Sequence, residues 1–149
     1  MKRFIVLVVA TVAFAFNLQA QDVIRVLAIG NSFSEDVVEQ HLHELGKAQG
    51  TTLIVGNLYI GGCSIQKHLS NLRSGKNAYR YRKIDEKGKK HTARKVSMQH
   101  GLADEQWDYV MVQQVSGFGG IYCSFEKFLP EYMKRLRAEL PNNPKFIIM

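Results

Sequence analysis

Three short segments gather the side chains of this 149-residue chain that could do chemistry. Gly30-Asn31-Ser32-Phe33-Ser34, Gly61-Gly62-Cys63-Ser64 and Gln113-Gln114-Val115-Ser116-Gly117 are small, polar and glycine-bearing, and each follows an apolar run. They offer hydroxyls, a thiol and carboxamides, groups suited to nucleophilic attack and to holding a polarised oxygen. Ser32 stands where an apolar run gives way to a helical pattern, so the positive end of a helix would favour negative charge on or beside its oxygen. Cys63 competes as a nucleophile at a second helix start, but it has no identifiable partner and Ser32 sits better at a strand end. Simpler roles compete as well. Ser34 serves first as a helix N-cap, and Ser32 could be one more loop hydroxyl. His41 and His43, two residues apart, point to different faces of a helix; they are expected to be exposed and are not read as a metal pair. His68 either borders a pocket or lies on the surface, with the surface preferred. The phosphate-loop pattern GxxxxGK[ST] is absent, and the pattern calls for no cofactor and no metal.

The elements that must position these segments alternate. Val23 to Ile29 is a β-rich run stopped by Gly30, and Thr51 to Ile60 is a second, broken by Gly61-Gly62. Between them Val37, Val38, Leu42, Leu45 and Ala48 fall at helical spacing up to Gly50. Ile65, Leu69 and Leu72 mark a short helix ending at Gly75, and Tyr109 to Val112 is a third buried strand. Ser124 is placed to cap an amphipathic helix running to Leu140, with Pro130 kinking it or marking a later start; Lys145 to Met149 begins a further strand. Trp107 and the Phe125, Phe128, Tyr132 stripe are expected in the core. This rhythm predicts an α/β fold, a doubly wound and mainly parallel sheet, with apolar strands because both faces are covered. In such a sheet ligands bind beyond the carboxyl ends of the strands, which would bring the three polar segments to one edge.

Those segments, in that order, resemble the SGNH/GDSL-type serine hydrolase superfamily, and more narrowly an exported, poorly characterised bacterial subgroup of it. Gly30-Asn31-Ser32-Phe33-Ser34 looks like the nucleophile block, Gly62 before Ser64 is similar to the second block, and Trp107 to Gln114 resembles the strand leading to the third. The resemblance covers about residues 23–149 and implies a flavodoxin-like three-layer fold. It implies Ser32 as nucleophile, the backbone amides of Ser32 and Gly62 as oxyanion donors, and a pocket bordered by Asn31, Cys63 and Ser64. The third block usually supplies an Asn; Gly117 occupies that register here, and Gln114 or Ser116 could substitute. The fourth block, Asp-x-x-His, is missing, since none of His41, His43, His68, His91 or His100 has an Asp three residues earlier. Because the chain stops inside a strand-like run, the expectation is a sheet incomplete at the C-terminus and a truncated chain that does not turn over normally by itself. The implied activity is an exported esterase or deacetylase on a small ester or O-acylated carbohydrate; the alternatives are a non-catalytic glycan-binding domain or an inactive remnant.

Composition sets the setting. Lys2 and Arg3, an apolar run from Phe4 to Phe16 and a small residue at Ala20 predict a signal peptide over residues 1–20. The apolar run is shorter than the roughly 20 residues a bilayer span needs. The remaining residues 21–149 then form one exported domain, periplasmic or secreted, with no stable membrane span. Loss of Lys2 and Arg3 lowers the formal charge from +7 to +5. Most of the positive charge sits at about 76–95, where nine Lys or Arg accompany two acids. That pattern is expected to be an exposed, solvated two-stranded excursion around Lys87-Gly88, with no nucleic-acid partner and an anionic glycan as the functional alternative. Cys63 and Cys123 could pair in an oxidising compartment, although two separate thiols are preferred. Oligomeric state is not legible.

Overall fold

A computed structural model describes residues 23–149 of the chain; the expected signal peptide at 1–20 lies outside the described residues. Strands β1 (Val23–Gly30), β2 (Thr52–Tyr59), β3 (Tyr79–Ile84), β4 (Lys90–Val96), β5 (Tyr109–Val112) and β6 (Lys145–Ile148) form one sheet in the order β4-β3-β2-β1-β5-β6. β2, β1, β5 and β6 run parallel, and β3 and β4 are added antiparallel to the edge of β2. The parallel strands therefore follow the doubly wound order 2-1-3-4, whose switch point lies between β1 and β5. The α/β class expected from the alternating pattern is the class observed.

The strands read as continuous apolar runs because their two faces feed two cores. Leu27 and Ile29 of β1 face one side with Leu58, Trp107, Val110 and Val112. Helices α3 (Ile65–Ser74), α4 (Met98–Leu102) and α6 (Leu129–Glu139) cover that side through Leu69, Met98 and Leu136. Ala28 faces the other way with Leu53, Val55 and Ile84, where Val38 and Leu42 pack from the segment between β1 and β2. Period-two alternation thus survives inside a run that is apolar at every position. Trp107 fits by a close approach. A Cβ on Gly56 of β2 would stand 2.7 Å from the Trp107 ring and 3.0 Å from Tyr81 Oη, so only glycine leaves room for the indole. Its Nε1 donates to Gly101 O at 2.9 Å.

The basic segment differs from expectation. It is a hairpin, but β3 is stitched along β2 from Val55↔Ile84 to Tyr59↔Arg80, and Tyr79, Tyr81 and Ile84 are buried. Tyr79 and Tyr81 pack into one core and Ile84 into the other, so the hairpin docks as sheet rather than standing free in solvent. Two of its cations are spent internally. Arg82 pairs with Glu35 and Glu39, each at 2.8 Å, and Lys83 pairs with Asp104 at 2.7 Å and Glu105 at 2.5 Å.

The expected long C-terminal helix is two: α5 (Tyr122–Glu126), then α6, with Pro130 in its first turn. Proline tolerates that position because no intrahelical N–H is lost there. Ser124 lies inside α5 and is not its cap. Of the aromatic stripe, Tyr132 is fully buried, whereas Phe125 and Phe128 are partly buried against the core. Among the described residues, no helix is long and apolar enough to cross a membrane.

Candidate functional site

The chain leaves β1 at Gly30 and enters a short helix, α1 (Ser32–Ser34), that continues as a π-helical turn over Glu35–Glu39 before α2 (Leu42–Ala48). The residue that caps this start is Asn31, not Ser34. Asn31 Oδ1 accepts the Phe33 amide at 3.2 Å, while the buried Ser34 hydroxyl donates to Asn31 O at 2.7 Å and lies 3.0 Å from Asn57 Oδ1. Gly30 is needed because a Cβ there would stand 2.6 Å from Gln113 Oε1.

Asn31 also draws the other two segments to itself. Its Nδ2 donates to Cys63 O at 3.2 Å and to Gln114 O at 3.3 Å, and its backbone amide reaches Gln113 Oε1 at 3.4 Å. One carboxamide, 1% exposed, therefore fastens three loops that lie 32 and 83 residues apart in the chain. The three polar segments do converge, at the carboxyl ends of β1, β2 and β5 and at the sheet's switch point.

Ser32, next in the chain, is exposed, and among the described residues its hydroxyl has no hydrogen-bond partner. Its amide is the first of the helix and takes no intrahelical bond. Gly62 is exposed with φ +61 and open space where a Cβ would be. Its left-handed backbone is the reason for glycine there, and its N–H has no partner among the described residues. The site thus holds an uncommitted hydroxyl and two uncommitted amides on a rigidly bonded frame.

The remaining expected site residues divide. Ser64 caps α3, accepting the Lys67 amide at 3.3 Å, and lines a cavity of about 270 Å³. Asn31 and Cys63 are buried and support the site through hydrogen bonds rather than lining that cavity. Burial pushes the Cys63 thiol up to about 11, only partly countered by Lys67, so it is a poor source of thiolate. Both cysteines are free, Cys63 buried and Cys123 exposed. Gln114 is buried and its carboxamide is fully used: Oε1 accepts the amides of Ile65 and Val115, each at 3.0 Å, and Nε2 donates to Ser124 Oγ at 3.1 Å. The second Nε2 hydrogen turns to Ser124 O at 3.5 Å, so Gln114 organises the loops and is directed at Ser124 rather than at an oxyanion. Ser116 lies exposed on a single 3-10 turn, Ser116–Phe118.

His41 is exposed as expected, but His43 and His68 lie differently from expectation. His43 is buried, its Nδ1 donating to Leu53 O at 2.7 Å. His68 is wholly buried, stacked between Tyr79 and Tyr132, with Nδ1 3.0 Å from Tyr79 Oη and Nε2 unpartnered. Burial lowers its pKa to about 3, so it is neutral. Its helical register with Ile65, Leu69 and Leu72 was the available sign that it faces inward. His91 bonds Asp85 at 2.9 Å, and His100 packs edge-on against Tyr81. No histidine among the described residues is hydrogen-bonded to Ser32.

A sheet with this strand order and a polar three-loop site at its switch point defines a doubly wound α/β domain. The chain belongs to the DUF4886 family, described as a domain of unknown function, whose sequence profile matches residues 25–149. It is similar to a DUF4886 family protein from Bacteroides uniformis of known crystal structure, at 48% identity and a TM-score of 0.82, covering 85% of this chain and 49% of that one. The chain thus spans about half the length of that protein. No curated protein matches it.

Proposed function

We propose that this domain carries the nucleophile and oxyanion donors of an exported serine ester hydrolase. Ser32 Oγ bonds to the acyl carbon of an ester, its proton passes to a base, and the alcohol departs. Water then releases the acid and restores the hydroxyl. The developing oxyanion is met by the amides of Ser32 and Gly62, donors of the kind whose loss typically costs about 2.7–4 kcal/mol in the barrier. The observation that carries this reading is the Asn31 carboxamide, which ties all three loops around a hydroxyl that is itself unbonded and open to solvent. The resemblance of the same three segments to SGNH-type hydrolases is in keeping with it. The reading assigns no base to the described histidines, so its test is acylation as well as turnover.

The experiment is treatment of the protein with an activated short-chain aryl ester, scored by mass spectrometry for an acyl group and by release of the aryl alcohol. We expect acylation at Ser32, lost in Ser32→Ala. Equal acylation and release in that variant remove Ser32 from the mechanism.

Binding of an anionic glycan is the second reading. It is favoured by the exposed Arg80, Lys89, Lys90 and Arg94 on the hairpin, for which no acidic partner is found among the described residues. Arg82, which is ion-paired internally, is no part of that surface.

A further inference from the structure

Between two of the loops that Asn31 fastens lies the cavity of about 270 Å³ that Ser64 and Gln114 share with Phe118, Ile121, Cys123 and Phe128. Part of its wall comes from the segment after β5, where Phe118 and Ile121 are 47% and 45% exposed. Most of its polar groups are already committed, leaving the carboxamide of Gln66, which also lines it and is exposed. Gln114 spends its carboxamide on Ile65, Val115 and Ser124, the Ser124 hydroxyl donates to Phe118 O at 3.0 Å, and Ser64 Oγ receives the Lys67 amide. A sugar ring placed there would find free partners only in Gln66 and the Ser64 hydroxyl and would lose the hydration of its other groups unmatched, an unfavourable exchange. A hydrocarbon chain would lose only water-exposed apolar surface.

We infer that this cavity is the acyl site of the enzyme, taking an unbranched aliphatic chain longer than acetyl whose carboxyl end lies at the Ser32 loop. The inference rests on the ester hydrolase reading and narrows it. At about 30 Å³ per water-sized group the cavity has room for on the order of eight carbons. Two of its members belong to the loops that Asn31 fastens: Gln114 through its own carbonyl, and Ser64 as the residue following Cys63. A chain bound there therefore extends from the nucleophile loop without crossing the sheet edge. The alcohol part of the ester, a carbohydrate included, would lie outside this cavity.

Cys123 gives a readout that needs no catalysis. It is exposed on the cavity, whereas Cys63 is buried with its thiol pushed up to about 11, so iodoacetamide will modify Cys123 selectively. The experiment measures that rate on the whole chain with straight-chain carboxylates from acetate to decanoate as protectants and with glucose as a polar control. We expect no protection by acetate or glucose. For the longer acids, the half-protecting concentration should fall about fourfold per added methylene until the cavity is full. Ile121→Arg, a change at an exposed wall position, should abolish protection while leaving the unfolding midpoint close to wild type. Protection independent of chain length, or none at any length, overturns the acyl site. Chain-length-dependent protection in a protein whose Ser32 never acylates instead overturns the hydrolase reading and leaves a cavity for an aliphatic chain. Acylation of Ser32 without protection of Cys123 does the reverse.

Discussion

The nucleophile edge and the added hairpin are fastened by opposite means. Around Ser32 the ties are neutral carboxamides: Asn31, Gln113 and Gln114 hold three loops through bonds of 3.0 to 3.4 Å, and Asn31 and Gln114 are almost wholly buried. Along β3 the ties are ionic, Arg82 to Glu35 and Glu39 and Lys83 to Asp104 and Glu105, all partly exposed. Amides can be buried at modest cost when every donor and acceptor is matched, and they set no strong local field. The Ser32 hydroxyl and the Gly62 amide are thereby held in place by loops that need no ion pair to fasten them. Ion pairs at a half-exposed edge contribute less each and respond to salt, which suits a hairpin whose role is to extend and close the sheet.

Three measurements can break that contrast, in falling order of effect. Asn31→Leu keeps the volume but leaves the Phe33 amide and the carbonyls of Cys63 and Gln114 unpaired. At about 1–3 kcal/mol for each buried group it should cost at least about 3 kcal/mol in urea unfolding, with no dependence on salt. A loss below 1 kcal/mol would show that the loops hold without their shared amide. Arg82→Met strips the partner from Glu35 and Glu39 and should cost roughly 2 kcal/mol, less in 1 M salt, where the pairs it removes are already screened. A penalty that does not change with salt would mean that the contact of the Arg82 guanidinium with the Tyr59 ring, 4.4 Å away, matters more than its ion pairs.

His68 sits on the seam, joining α3 to Tyr79 of the hairpin. Its folded pKa, lowered by burial to about 3, lies below the usual 6.5 of the unfolded chain. Its contribution is therefore complete above pH 6.5 and is lost as pH falls from there toward 3, by at most about 1.4 kcal/mol per pH unit. Between pH 7.5 and 5.5 the wild type should lose up to about that amount. His68→Phe should flatten this part of the profile while retaining the stack. An unchanged slope in His68→Phe would assign the acid sensitivity to other groups.

What could be read from the chain alone follows the range of the forces. β5 falls where the apolar run YVMV ends, and α3 where Ile65, Leu69 and Leu72 repeat at helical spacing. These are local patterns set by neighbours within a turn or a strand. The assignment of Ser34 as cap failed because Asn31, three residues earlier, serves that helix start and two distant carbonyls at once. The donor role open to Gln114 closed for a similar reason, since its partners Ile65 and Ser124 lie on two other loops. The free-standing hairpin failed because Tyr79 and Tyr81 anchor it in one core and Ile84 in the other. Asn31 is near Ser34 in the chain, but the carbonyls it also serves, like the partners of Gln114 and of the hairpin, are distant in sequence.

The indole seated over Gly56 has a practical corollary. Trp107 is the only tryptophan in the chain and is wholly shielded from water, at the place where β1, β2 and the hairpin tyrosines meet. Its fluorescence is accordingly a built-in gauge: emission shifts to the red when that junction opens, and it reports the integrity of the sheet centre without any dye or label.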